Sequence, residues 1–242
     1  MENVMAIGRV SEFKKGLQGG ISIAIGYMPV ALTFGLIAKT TGLTLGETLM
    51  MSLLVFAGAA QYISLSLLAQ GIGMVEIVLT TFIVNIRHFL MAASLNEKAE
   101  DDTPGKRMLY SFGITDETFS VAATQPGTVS TGYMFGLTLI SYSSWVVFSG
   151  VGFLIGAGLP KTLQESMSIA LYAMFIGLLV PSMKKSIKVV YLAALAASFN
   201  TVFTLGELMS TGWAIVSATL LSAIIVEAVE TMKSGKKVDG RE

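Results

Sequence analysis

Three polar residues stand close together inside a long apolar stretch: Asn85, Arg87 and His88, the last being the only histidine in the chain. A charge in the middle of a membrane helix costs at least about 2.5 kcal/mol on insertion scales, so such residues usually face a cavity, a polar partner or a substrate. At about 100° per residue, Asn85 and His88 share one helix face, while Arg87 lies nearly opposite Asn85.

These positions have two interpretations. In the first, Asn85 and His88 line a substrate path, and His88 can carry a proton because an unperturbed histidine titrates at about pH 6.5. In the second, Arg87 reaches a membrane interface or pairs with an acid, and His88 makes a hydrogen-bonded helix contact.

A second polar cluster, Thr115, Asp116 and Glu117, interrupts a later apolar segment. Two adjacent acids are costly if both are ionised in a low dielectric. We therefore expect one of them to be neutral or to pair with Arg87. Such an acid is a candidate for proton coupling. The alternative is a structural ion pair, or an interfacial segment in which both acids are hydrated.

Three further candidates lie in the first part of the chain: Pro29, Gly58 and Gln61. Proline removes a backbone hydrogen bond, so a helix broken near Pro29 would expose backbone groups able to hold an amino acid's carboxylate or ammonium group, whereas a simple kink would not. Gly58 and Gln61 belong to a run of small residues that favours close helix packing. Gln61, if buried, needs a partner or a ligand.

The segments that carry these residues are long and apolar. Of the 242 residues, 53% are hydrophobic and only 13% are charged, whereas a soluble domain is typically about 25% charged. Because a spanning helix needs about 20 apolar residues, the sequence predicts an all-α polytopic membrane protein with about eight transmembrane or partly re-entrant helices. The candidate spans are 16–38, 45–70, 72–95, 108–124, 131–157, 166–183, 187–205 and 209–229, of which the fourth is the weakest.

These spans predict a single transport domain at 16–229, between an N-terminal segment at 1–15 and a charged, disordered tail at 230–242. The distribution of Lys and Arg places both termini in the cytoplasm. A faint echo relates 44–48 to 162–166, and it places Asn200 at a depth similar to that of Asn85 one span later in each half. The echo is consistent with a weak parallel four-plus-four repeat, although chance similarity explains it equally well.

Composition also excludes several classes of function. The chain has no cysteine, which rules out disulfides and thiolate metal sites. Basic and acidic residues balance, so nothing indicates a nucleic-acid partner. We find no phosphate-binding loop, no metalloprotease histidine pair and no dinucleotide fingerprint, so the sequence predicts neither a cofactor, nor a metal, nor an enzyme.

Four motifs resemble the AzlC family of branched-chain amino acid permeases: P-V-A-L-T-F-G-L-I-A at 29–38, F-A-G-A-A-Q-Y at 56–62, N-I-R-H at 85–88 and F-G-I-T-D-E-T-F at 112–119. The resemblance is strongest over the first half of the chain. It implies an exporter of valine, leucine and isoleucine in the bacterial cytoplasmic membrane. It also implies a partner, a small AzlD-type hydrophobic membrane subunit in the same lipid bilayer. A homo-oligomer is compatible with the sequence as well.

On this hypothesis the chain is a secondary transporter driven by protons. The predicted substrate-binding residues are Pro29, Gly58, Gln61, Asn85, His88, Thr115 and Asn200. The predicted residues for proton coupling or ion pairing are Arg87, His88, Asp116 and Glu117. The alternatives are an exporter of another small solute such as methionine, and a non-transporting membrane partner subunit.

Overall fold

A computed structural model describes residues 2–155 and 182–239, with only a few scattered positions between these ranges. The regular structure of this described part is helical, and its one β-type contact is an isolated bridge between Ala99 and Val129. The prediction of an all-α polytopic membrane protein is confirmed. Most of the predicted sixth span, 166–183, lies outside the described residues, and so does most of the 162–166 echo.

The helices with defined bounds follow one another with short connections. They are α1 (Glu2–Thr40), α2 (Leu45–Leu54), α3 (Gly58–Ala69), α4 (Met74–Asn85), α5 (Arg87–Asn96), α6 (Pro104–Ser111), α7 (Asp116–Thr124), α8 (Thr131–Ile155), α9 (Ile187–Leu205) and α10 (Thr211–Asp239).

Five helical segments of the described residues are long and apolar enough to cross a membrane. These are Glu12–Thr40 within α1, Met74–Asn96 across α4 and α5, Thr131–Ile155, Ile187–Leu205, and Thr211–Thr231 within α10. They match the first, third, fifth, seventh and eighth predicted spans. Helix α10 continues to Asp239, so the expectation of a disordered tail is wrong as far as that residue.

Two predicted spans are wrong as continuous helices. The second, 45–70, divides into α2 and α3, because the chain leaves the helical conformation at Val55 (φ −127°, ψ 88°). The fourth, 108–124, divides into α6 and α7, because the Thr115 side chain caps a new helix at that point. A continuous apolar pattern does not reveal either interruption, since helix and irregular backbone can be equally apolar.

Helices α1 and α8 pack with their backbones in direct contact. A Cβ atom added to Gly35 of α1 would lie 2.0 Å from the Ser149 carbonyl oxygen. A Cβ atom added to Gly136 of α8 would lie 2.1 Å from the Phe13 carbonyl oxygen, and Gly152 is as crowded. Small residues allow this close approach. It increases the van der Waals contact between the helices, which matters in a membrane because there is no hydrophobic effect to drive helix association.

The chain forms two compact units, each described here by itself. The first comprises Met1–Leu65 and Val84–Leu171, and the second comprises Ser66–Ile83 and Tyr172–Glu242. In the second unit the Lys188 ammonium donates to the carboxylates of Glu227 and Glu230 and so links α9 to α10. The single transport domain at 16–229 stays a prediction.

The start of α10 is held by a carboxylate from α4. Glu76 accepts hydrogen bonds from the Ser210 hydroxyl and, at 3.1 Å, from the Trp213 backbone amide in the first turn of α10. An acid at this end favours the helix, since the first-turn amides lack intrahelical acceptors and carry partial positive charge. Glu76 was not among the predicted functional residues, and its contacts give it a structural role.

Candidate functional site at the interrupted helices

The interruption between α2 and α3 is stabilised by the fully buried side chain of Gln61. Its Nε2 donates to the carbonyl oxygens of Met51 and Val55 at the end of α2, at 3.0 and 2.5 Å. Its Oε1 accepts from the Trp145 indole N–H at 2.9 Å. These contacts satisfy the partner requirement expected of a buried amide. Substrate binding by Gln61 stays a prediction.

The beginning of α3 presents unpaired backbone donors. The amides of Gly58, Ala59 and Ala60 make no hydrogen bond to an acceptor in the described part of the chain, although Ala59 and Ala60 are buried. Gly58 lies against the Trp145 ring, where an added Cβ would be 2.8 Å away. A helix N-terminus with free amides suits a carboxylate or another small anion.

The interruption between α6 and α7 is a reciprocal cap made by two buried threonines. The Thr115 hydroxyl accepts from the Thr118 amide at 3.3 Å, and the Thr118 hydroxyl oxygen accepts from the Thr115 amide at 2.7 Å. The Thr118 hydroxyl in turn donates to the Gly113 carbonyl at 2.8 Å. This cap places Asp116 and Glu117 in the first turn of α7, where the helix dipole favours negative charge.

Asp116 forms an ion pair with Arg87, the first residue of α5. The guanidinium and carboxylate approach to 2.9 Å, with the side chains 39% and 24% exposed. Of the two alternatives expected for the adjacent acids, a neutral acid or pairing with Arg87, the structure shows pairing for Asp116. Arg87 follows the single-residue interruption at Ile86 that separates α4 from α5. His88, next along α5, is half-buried and hydrogen-bonds to none of the described residues.

Tyr27 of α1 connects the two interruptions. Its hydroxyl donates to Glu117 Oε2 at 2.6 Å and lies 2.7 Å from the Thr115 hydroxyl. Its ring meets those of Trp145 and Phe56 edge-on, with centroids 5.3 and 6.0 Å apart. The residue is 4% exposed. Sequence reasoning missed Tyr27, for which the only available signal was that a phenol inside a span needs a polar partner.

Pro29 does not break α1, so of the two alternatives considered for this residue the broken helix with exposed backbone is absent, and substrate binding by Pro29 stays a prediction. The helix runs from Glu2 to Thr40 with Pro29 inside it. The Thr33 hydroxyl donates to the Pro29 carbonyl at 2.9 Å, and the Tyr62 hydroxyl donates to the neighbouring Val30 carbonyl at 2.7 Å. Both side chains donate to carbonyls beside the proline, whereas the carbonyl that loses its backbone donor is that of Ile25, four residues earlier. Free backbone donors occur instead at the start of α3.

Two buried amide oxygens have no partner among the described residues, and both belong to predicted substrate residues. Asn85 Oδ1 lies at the end of α4 in the first unit, and Asn200 Oδ1 lies within α9 of the second unit. A buried acceptor left without a donor costs about 1–3 kcal/mol. Each oxygen is therefore a position where a ligand donor would be favourable.

Comparison with known proteins identifies relatives for most of the chain. The profile of the AzlC protein family matches residues 22–159, which contain every predicted site residue except Asn200. The chain is 31% identical over 181 residues to an uncharacterized membrane protein of Archaeoglobus fulgidus, covering 74% of this chain and 80% of that one.

Two named bacterial proteins are also similar. The inner membrane protein YgaZ of Escherichia coli is 30% identical over 194 residues, covering 77% of this chain and 79% of YgaZ. The branched-chain amino acid transport protein AzlC of Bacillus subtilis is 27% identical over 180 residues, covering 73% of this chain and 70% of that protein. No solved structure matches the chain.

Proposed function

The chain belongs to the AzlC family, and from this premise we propose that it is a secondary transporter that exports branched-chain amino acids across the bacterial cytoplasmic membrane. Valine, leucine and isoleucine are the proposed substrates, and both termini lie in the cytoplasm. One relative bears branched-chain amino acid transport in its name. The observation that carries the proposal is the interruption between α2 and α3, since transporters bind substrates at discontinuous membrane helices.

The substrate carboxylate binds at the start of α3. Three unpaired amides, from Gly58 to Ala60, provide donors there. Discontinuous helices in transporters commonly direct such N-terminal donors at an anionic group of the substrate. Asn85 is the proposed additional contact, because its buried amide oxygen lacks a donor that the substrate ammonium could supply.

Aromatic rings next to the interruption provide an apolar boundary for an aliphatic side chain. Phe56 contacts Tyr27 and also Tyr142, whose ring centroid is 5.2 Å away. Trp145 also packs edge-on against Tyr27, with ring centroids 5.3 Å apart. Rings of this size bury much apolar area, which favours a branched aliphatic substrate over a polar one.

Proton antiport supplies the driving force in this proposal. Ionisable groups lie close to the interrupted helices: the Arg87–Asp116 ion pair, His88 beside it, and Glu117. A carboxylate can move between the two sides of a membrane more easily when protonation removes its charge. Collapse of the proton gradient is therefore expected to slow export.

A small AzlD-type hydrophobic subunit is the proposed partner. The segment Met74–Asn96 is apolar, yet only 6% of its most apolar window is buried within the chain. Such a helix needs lipid or another membrane protein along its surface. We expect full export activity only when both subunits are present.

Efflux of labelled valine from preloaded cells lacking their own exporters tests the proposal. The chain would be expressed alone and with the small hydrophobic protein encoded beside it, where there is one. Faster efflux, reduced by unlabelled leucine and isoleucine and by a protonophore, is expected. No efflux despite correct membrane insertion would refute branched-chain export, and competition by methionine alone would reassign the substrate.

A further inference from the structure

Glu117 is a half-buried carboxylate that lacks a cationic partner. Its neighbour Asp116 is neutralised by Arg87, at 2.9 Å. No Lys, Arg or His of the described residues lies within ion-pair distance of Glu117, whose one hydrogen bond comes from the Tyr27 hydroxyl. An ionised group removed from water is costly without a compensating charge. A cation or a proton bound at Glu117 would therefore offset this cost.

The hydroxyl groups around Glu117 are arranged for the ionised carboxylate. The Thr118 hydroxyl uses its proton on the Gly113 carbonyl. Tyr27 uses its proton on Glu117, so the Thr115 hydroxyl must be the donor in the contact between Thr115 and Tyr27. Every hydroxyl proton then has an acceptor, and Glu117 remains an acceptor that is open to a further donor.

The other charged and titratable groups around α7 are already engaged or distant from this carboxylate. On α5, Arg87 pairs with Asp116 and His88 lies beside Arg87. Lys98 donates to the carbonyls of Ala123 and Gln125 at the opposite end of α7. Helix α8 contains no charged residue, and the titratable group facing Glu117 from α1 is Tyr27.

We propose that Glu117 binds the substrate's ammonium group and a proton in alternation, and that Tyr27 is the positioning residue that orients its carboxylate. This inference rests on the proposed function and selects Glu117 over Asp116 as the exchanging acid. Tyr27 contacts both Glu117 and Phe56, which lies in the interruption before α3. In this proposal the ammonium of the amino acid binds at Glu117 and its carboxylate binds at the free amides.

The exchange balances in both directions. When an amino acid enters from the cytoplasm, the proton on Glu117 passes to water on that side and the ammonium takes its place. When the amino acid leaves on the outside, Glu117 takes a proton from water there and returns neutral. Each exported amino acid is thereby exchanged for one inward proton.

Reconstituted full-length protein, with the small subunit where efflux requires it, provides the test. Three probes separate the groups: valine, 3-methylbutanoate, which lacks the ammonium, and 2-methylpropan-1-amine, which lacks the carboxylate. We expect the KM for valine to rise as the pH falls. In Glu117→Gln the KM should be about tenfold higher, because a charge-assisted contact is lost, and it should no longer depend on pH. Binding of the amine, measured as a rise in the midpoint of thermal unfolding, should be lost as well.

Two variants control for structural effects. Glu97→Gln makes the same chemical change at an exposed glutamate with no ion pair among the described residues, and it should behave as the wild type. Tyr27→Phe keeps the ring packing and removes only the donor to the carboxylate. We expect it to move the pH at which valine affinity is half lost to a higher value. If Glu117→Gln does not fold, an unchanged pH profile in Tyr27→Phe would overturn the inference.

The possible failures are distinguishable. Valine flux with an unaltered KM and pH profile in Glu117→Gln would overturn the role of Glu117 and leave the transport function standing. Amine binding that depends on Glu117, without flux of any branched-chain amino acid, would refute the proposed function and support the ammonium site. Loss of pH dependence in Asp116→Asn with Glu117→Gln unchanged would assign the exchange to Asp116 instead.

Discussion

The indole N–H of Trp145 and the side-chain oxygen of Gln61 form a buried hydrogen bond of 2.9 Å between residues 84 positions apart in sequence. The bond ties α8 to the short helix α3, and the amide group of Gln61 continues the tie to the last carbonyls of α2. Gln61 therefore helps to hold the α2–α3 interruption, together with the Tyr142 hydroxyl, which donates to the Leu53 carbonyl.

Replacing Gln61 by Leu should destabilise the protein. The Trp145 N–H would stay buried without an acceptor, which costs about 1–3 kcal/mol. The Val55 carbonyl would lose its Gln61 donor, while the Met51 carbonyl would keep the Val55 amide. The midpoint of thermal unfolding in detergent measures the effect. Gln18→Leu, at an exposed position of α1, is the control and should have little effect. Equal stability of the two variants would contradict the structural role of Gln61.

The ion pair between Arg87 and Asp116 should show coupling in a double-mutant cycle. Asp116→Asn leaves the guanidinium without its counter-charge, at a cost of about 1–3 kcal/mol. Adding Arg87→Gln removes the unpaired charge and should restore part of the stability. The exposed pair Lys15–Glu12 provides a control that should contribute about 1 kcal/mol or less. Strictly additive effects would show that the pair is not energetically coupled.

Helix contact between α1 and α8 should be sensitive to single methyl groups. Gly35→Ala adds a Cβ that would lie 2.0 Å from a carbonyl oxygen of α8, so the helices must separate, at about 1–3 kcal/mol. Gly26→Ala on the same helix meets no atom within 4 Å, and should be neutral or slightly stabilising. The two variants are compared by the fraction of protein that remains folded after detergent extraction. Equal yields would argue against close backbone packing.

Asn85 should be important for transport and unimportant for stability. Its side-chain oxygen is buried without a partner. Because Asn85→Ala removes this buried acceptor, the unfolding midpoint should stay unchanged or rise. The KM for valine should rise. Thr138→Val also removes a buried unpaired oxygen, so it should likewise leave the midpoint unchanged or raised, and it should leave the KM unchanged. A strongly lowered midpoint in Asn85→Ala would assign the residue a structural role instead.

Charge was the feature that sequence reasoning used most successfully. The cost of an isolated ion within a span predicted that one of the acids Asp116 and Glu117 would be neutral or would pair with Arg87, and Asp116 does pair with it at 2.9 Å. The same reasoning could not choose between the two acids, because adjacent residues on a helix point in different directions. That choice depends on how α5 and α7 pack.

Backbone interruptions were harder to predict. The chain leaves the helix at Val55 without a proline or a charge in the surrounding apolar run, so hydropathy alone reads 45–70 as one span. Pro29, a residue that usually disrupts helices, lies inside a continuous one. Contacts distant in the helix pattern accompany both cases. Gln61 donates to the Val55 carbonyl in the first, and the Tyr62 hydroxyl donates to the Val30 carbonyl beside Pro29 in the second.

The glycine contacts between α1 and α8 also set an order of events during biosynthesis. Helix α1 ends at Thr40 and α8 begins at Thr131, so roughly 90 residues, made at about 5–20 residues per second, separate the two helices as they leave the ribosome. For several seconds the glycine face of α1 must be covered by lipid or by the insertion machinery. A nascent chain that stalls before α8 lacks the helix that covers this face, which gives membrane quality control a surface to recognise.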